Sequence, residues 1–270
     1  MEILILMFVF IFGTIIGSFL NVVIYRLNTS LRISKGRSIC FSCNKQLYWY
    51  ELLPVFSFMI QKGRCRGCAS RISHQYPIVE ILTGIVFVFL SYHFLPMIFI
   101  NPLMYVFALS FFMFIFALLI VITFYDLRHK IIPDRLVYTF ILLSLISIFL
   151  NFSGVGSLLV WPSLGQILAG PVIAMPFALL WYFSKGVFIG FGDIKLMLGL
   201  GWMLGISAGL SALMIAFWVG AIVGLFMLAL ARTKVNMKTE VPFAPFLVLG
   251  IFVAFLLSLD IFTLSTILIF

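Results

Sequence analysis

The sequence predicts an all-α fold, a polytopic bundle of membrane helices with one small aqueous segment. Three observations predict it. Of the 270 residues, 64% are hydrophobic and only 9% charged. The mean hydropathy is +1.26. The apolar residues gather into runs near the length of about 20 that a helix needs to cross a bilayer. This balance excludes an ordinary globular surface. A charge in such a chain is costly in hydrocarbon and is kept there only with a partner, water or a task, so the eight acidic residues are read one by one.

Taken in order, the runs lie near 3–27, 77–95, 103–125, 136–152, 164–183, 194–208, 210–231 and 242–260, which predicts eight spans. The sixth is short and glycine-rich, and its boundary with the seventh is the least defined. The first starts directly after Met-Glu with no basic stretch or small-residue cleavage pattern, so it is expected to be a retained anchor. Basic residues test the order. Arg26 to Arg71 follow the first span, Arg128, Lys130 and Arg135 the third, Lys185 and Lys195 flank the fifth–sixth junction, and Arg232, Lys234 and Lys238 follow the seventh. The opposite loops, "PMIFINP" and "SGVGSLLVWPS", carry none. All the basic charge thus falls on one side, which the positive-inside rule makes cytoplasmic, with Glu2 and Asp260 on the other. The net charge of +9 follows from this distribution, so no nucleic-acid partner is expected. Small-xxx-small spacings at Gly13/Gly17, Gly205/Gly209 and Gly220/Gly224 suit close helix packing. No internal repeat is visible.

The aqueous segment, about 28–75, holds all four cysteines as two C-x-x-C pairs, Cys40/Cys43 and Cys65/Cys68. A reducing compartment argues against disulfides. Two such pairs about 20 residues apart fit a tetrahedral zinc knuckle with four sulfur ligands, and metal binding would supply most of the folding energy of so small a segment. Redox dithiols are the competing reading. His74 is left out, since four sulfurs close the shell.

Two aspartates meet the same membrane face. Asp126 ends the third span in "ITFYDLRHK", and Asp193 opens the sixth in "GFGDIKLM". Two carboxylates held close do not both ionise cheaply, so one keeps a proton while the other stays charged, the state needed to activate water and protonate a leaving amine. Gly190 and Gly192 leave the backbone beside Asp193 open to an extended peptide. The alternative is that each aspartate caps a helix or pairs with Arg128 or Lys195 at the headgroups. Asp134, after Pro133, is expected as a helix cap. Glu80, inside the second span, is expected to pair with Lys195 or to touch substrate.

These residues resemble the type IV prepilin peptidases, membrane aspartic proteases. The resemblance rests on "GSFLNVVIYRL", the two C-x-x-C pairs, "SHQYPIVEILT", "YDLRHKIIPD", "GFGDIKLM" and "VPFAPFL", in that order along nearly the whole chain. It implies a bacterial inner-membrane enzyme that cuts the short basic leader from prepilins or pseudopilins at the cytoplasmic face, with Asp126 and Asp193 as the catalytic pair. Members with the cysteine segment often also methylate the new N-terminal residue, using S-adenosylmethionine; no residue here marks a methyl-donor pocket. Ala244 departs from the family, which tends to have glycine there. Because the leader of that family is basic and the charged face of this chain is basic too, Glu51, Glu80 and Asp134 are the expected local contacts. The chain would divide into 1–95, with the anchor, cysteine segment and second helix, and 96–270, the peptidase bundle. Two other readings stay open. One is a different G-x-G-D protease cutting within the lipid, with deeper aspartates. The other is a transporter or redox protein using the C-x-x-C thiols.

Overall fold

The computed structural model describes residues 2–29, 32, 36–152, 155–230 and 242–260. In chain order the helices are α1 (Glu2–Arg26), α2 (Phe56–Ile60), α3 (Gln75–Phe94), α4 (Met97–Ile100), α5 (Pro102–His129), α6 (Asp134–Ser147), α7 (Leu164–Ser184), α8 (Phe191–Leu230) and α9 (Ala244–Leu257), with a 3₁₀ turn at Trp49–Glu51. Five of these, α1, α3, α5, α7 and α8, are long and apolar enough to cross a membrane. The chain is therefore a helical, multi-pass membrane protein.

The expected eight spans meet two physical qualifications. The fourth and eighth runs form α6 and α9, 14 residues each. At 1.5 Å per residue each is about 21 Å long, short of a hydrocarbon core of about 30 Å. The sixth and seventh runs form one continuous apolar element, broken inside by Gly205, whose φ of 79° and ψ of −179° are open essentially to glycine alone. The break thus falls a few residues before the expected boundary, and Gly205 is a hinge point rather than a packing residue. Arg232, Lys234 and Lys238, which the topology also used, lie outside the described residues.

The chain forms two compact units, Met1–Ile98 with Tyr105–Val121, and Phe99–Met104 with Ile122–Phe270. In the first, α1 and α3 run antiparallel. A methyl built on Gly13 would lie 2.7 Å from the Gly84 Cα, and one on Gly17 2.7 Å from the Glu80 Cα, so the expected glycine pair does let two backbones touch. The N-terminal part of α5 completes this unit, where the Ser91 and Tyr105 hydroxyls meet at 2.8 Å. Asn101 caps α5, accepting from the Met104 N–H, with Pro102 at the first helical position.

In the second unit α8 packs against α6, α7 and α9. Contact is again through small residues: a methyl on Gly199 would strike the Phe140 ring at 2.5 Å, and one on Gly201 the Ala169 carbonyl at 2.5 Å. Ser163 and Gln166 close a capping box at the start of α7.

Candidate active site

Five helix ends of the second unit, those of α5 and α7 and the starts of α6, α8 and α9, surround one cavity of about 1030 Å³. Asp126 lies in the last turn of α5, and its backbone carbonyl accepts the Lys130 N–H at 2.7 Å, where Lys130 takes a left-handed conformation and stops the helix. Asp193 lies in the first turn of α8, where its backbone N–H donates to the Gly190 carbonyl at 3.1 Å. Both carboxyl groups line the cavity. Asp126 is buried, and Ala244, the first residue of α9, lies close to its carboxyl group. The Oδ1 of Asp193 is buried with no hydrogen-bond partner among the described residues. Helix N-termini carry partial positive charge, so α8 and α9 each offer a favourable field to a carboxylate.

The glycines before Asp193 have distinct surroundings. A methyl on Gly190 would sit 3.1 Å from Asp193 Oδ2, crowding the carboxylate, whereas one on Gly192 would sit 2.9 Å from Ile132 Cβ. Gly192 is thus where the first turn of α8 presses on the connection between α5 and α6.

Asp134 and Lys195 correct two expectations. Pro133 takes the N-cap position of α6 and Asp134 follows as the first helical residue, with no side-chain cap. Its carboxylate accepts from Lys195 Nζ at 2.6 Å. Lys195 is 12% exposed and lies over the rings of Tyr138 (4.7 Å) and Phe191 (4.9 Å). Asp134, at 65% exposed, is the open half of the pair, and both residues line the cavity. Glu80, the partner expected for Lys195, instead accepts the Val55 N–H at 2.8 Å within the first unit. Val55 is the centre of a γ-turn at φ 62°, ψ −52°, an unusual place for a β-branched residue. Glu51 is likewise engaged internally, by Lys45 at 3.1 Å and the Tyr48 N–H at 3.0 Å. Of the three acids expected to meet a basic leader, Asp134 alone lines the cavity. Ala244, the departure from the family, is buried and lies close to Asp126. The motif "VPFAPFL" marked the place without indicating this proximity.

The four cysteines are free thiols brought together, all sulfurs within 4.8 Å of one another. Four sulfurs about 2.3 Å from a tetrahedral metal lie about 3.8 Å apart, and the Cys40 and Cys68 sulfurs are 3.9 Å apart. The donor set therefore fits a metal ion. Each C-x-x-C forms the same turn: the N–H of Cys40 donates to Lys45 and that of Asn44 to Cys40, as Cys65 does to Ser70 and Ala69 to Cys65, all at 2.9 Å. Asn44 and Ala69 both take positive φ, and bridges Ile39–Gln46 and Arg64–Arg71 close the two turns. This small structural repeat escaped sequence reading, since "CFSCNKQ" and "CRGCASR" share little beyond their cysteines. Burial would raise the Cys40 thiol, but the N–H groups of Cys43 and Ser42 and the Ser70 hydroxyl outweigh it and bring it down to about 6, whereas against the Lys45 N–H the Cys68, Cys40 and Cys65 thiols push Cys43 up to about 11.

Among the described residues, those lining the cavity include no serine, cysteine or histidine. Two carboxylates from separate helices, without such a nucleophile, suit direct activation of water, the chemistry of a membrane aspartic peptidase. Comparison with known proteins identifies a peptidase family. Residues 11–94 match the bacterial peptidase A24 N-terminal domain, and residues 113–225 match the type IV leader peptidase family. A prepilin leader peptidase/N-methyltransferase of Myxococcus xanthus is 33% identical over 86% of this chain and 66% of its own length. Proteins of the same name from Bacillus subtilis (29% identical, 92% of both chains) and Aeromonas salmonicida (30% identical, 92% of this chain and 89% of that one) match more of their length. No solved structure matches. The chain belongs to the type IV leader peptidase family.

Proposed function

We propose that this chain is the aspartic endopeptidase that removes the leader from type IV prepilins or pseudopilins, with Asp126 and Asp193 as its catalytic pair. The observation that carries the reading is that these two aspartates, 67 residues apart in sequence (193 against 126), line one cavity at helix ends. The charged carboxylate takes a proton from water as the oxygen adds to the scissile carbonyl, and the protonated one supports the developing oxyanion. The tetrahedral intermediate then collapses as a carboxyl proton passes to the leaving amine, with no covalent enzyme adduct. Ala244 at the start of α9 packs close to the Asp126 carboxyl group, and Gly190 close to that of Asp193. A bare backbone at Gly190 lets an extended substrate approach beside the Asp193 carboxyl group, whereas the space at Gly192 is taken up by Ile132. An interfacial cut is favoured over one deep in the lipid because both aspartates occupy terminal turns of their helices.

Cys40, Cys43, Cys65 and Cys68 are proposed to hold one zinc ion, a closed four-sulfur site that would supply folding energy and no catalysis. The relatives' joint name extends the proposal to N-methylation of the new N-terminus with S-adenosylmethionine. The eight apolar helical segments, counting α8 as two, are proposed as eight passes of a bacterial inner membrane with the cavity facing the cytoplasm. Residues 1–95 would form the anchor and zinc segment, and 96–270 the peptidase bundle. The test is mass spectrometry of a prepilin incubated with the membrane-reconstituted chain. Loss of the leader is expected without S-adenosylmethionine, and one further methyl group only when it is supplied. An intact prepilin would contradict the peptidase; a trimmed, unmethylated one would contradict only the second activity.

A further inference from the structure

The aqueous segment of the first unit exposes more hydrocarbon than a water-facing surface of its size would. On α2, Phe56, Met59 and Ile60 recur at the spacing of one helical face, and each is more than two-thirds exposed, at 69%, 68% and 67%. Phe58, between them, turns inward against His74. Just upstream, Trp49 is 76% and Tyr48 57% exposed. None of these residues lies in a helix long enough to cross a membrane, so the lipid that covers the outer faces of the spans does not account for them.

Where the segment sits and what charge it carries say what does. Antiparallel α1 and α3 end and begin at Arg26 and Gln75, so the chain between them emerges at one end of that helix pair, at the level of a bilayer surface. Between residues 28 and 74 there are eight Lys and Arg and a single acid, Glu51. That acid is buried and paired with Lys45, so the outer charge is positive. Lys62, Arg64, Arg66 and Arg71, all exposed, directly follow the apolar face. Trp and Tyr rings joined to aliphatic residues and flanked by cations match the layered chemistry of an anionic headgroup region, where rings and alkyl chains enter the acyl boundary and the cations meet phosphate. A second copy of the segment would set like charges against one another, and a purely apolar peptide would leave the cations unanswered.

We propose that Tyr48, Trp49, Phe56, Met59 and Ile60 form an interfacial anchor, seating the four-cysteine segment in the headgroup layer of an anionic bilayer. This goes beyond the peptidase reading and does not depend on it. The test uses the full chain in vesicles with Trp161, Trp181, Trp202 and Trp218 changed to Phe, leaving Trp49. Lipids brominated high in the acyl chain should quench its emission about twofold or more, and lipids brominated near the bilayer centre far less. As a check that needs no tryptophan changes, hydrogen exchange of residues 48–60 in the wild-type chain should slow in nanodiscs of anionic lipid relative to zwitterionic lipid. Phe56→Ser with Ile60→Ser should remove that difference. Unquenched Trp49 with exchange independent of lipid charge would overturn the proposal. So would protection that follows protein concentration, which would assign the face to a second copy, or protection that arises only on adding a prepilin peptide, which would assign it to substrate.

Discussion

Among the carboxylates removed from water, Glu51 is fully answered and Asp193 is not. The Tyr48 N–H, joined by Lys45, outweighs burial and holds the Glu51 carboxyl below the ordinary carboxylate range. Its contribution to stability is therefore present above the unfolded carboxylate value, about 4.3, and is lost as pH falls through its own lower value. In urea titrations followed by Trp49 fluorescence, Glu51→Gln should unfold the segment more easily than wild type at neutral pH, by about 1–3 kcal/mol, the range for a buried hydrogen-bonded charge. The gap should close in acid; a gap independent of pH would count against the assigned role. Residue by residue, the scarcity of charge made Asp126 and Asp193 legible in the sequence. The same scarcity misplaced Glu80 and Glu51, because their partners are backbone N–H groups of Val55 and Tyr48, which no composition argument can see.

At the scale of elements, the cavity depends on how the first turn of α8 is seated. Gly192 presses on Ile132, and Lys195 reaches Asp134 across 61 residues of sequence. Together these contacts fix the turn that carries Asp193 against the one that follows Asp126. Lys195→Met or Asp134→Asn should lower kcat for prepilin cleavage about ten- to a hundredfold, since small misplacements of a catalytic group cost that much, with little change in KM. The reciprocal exchange, Asp134→Lys with Lys195→Asp, should restore part of the loss. A rise in KM alone would instead assign Asp134 to substrate binding. Local sequence rules missed this pair. Pro133 and Asp134 resemble a cap signal, and a long-range ion pair has no local signature. The break between the sixth and seventh runs is expected a few residues after Gly205 for a related reason: a glycine in an apolar run reads as packing until its backbone angles are known.

For the whole molecule, length and composition were enough to identify a multi-pass helical protein, and the positions of the runs survive in α1, α3, α5 and α7. Crossing lengths were not legible, because α6 and α9 form only 14 helical residues of the runs that contain them. The cysteine spacing predicted a cluster, and the fold gathers it. Purified chain should carry one zinc per molecule, measured by plasma emission, and Cys43→Ser should bring that close to zero while faster hydrogen exchange is confined to residues near 36–74; a chain with no metal and intact protection there would refute the site. The central claim is that Asp126 and Asp193 act as one water-activating pair, and prepilin cleavage in membranes by Asp126→Asn, Asp193→Asn and the double variant tests it most directly. Each single change should cut the rate by at least about a hundredfold, with undiminished membrane insertion, and the double should be little worse than either single, as expected of groups that work as a unit. If either single variant still cleaves at a wild-type rate, the pair is not the catalyst.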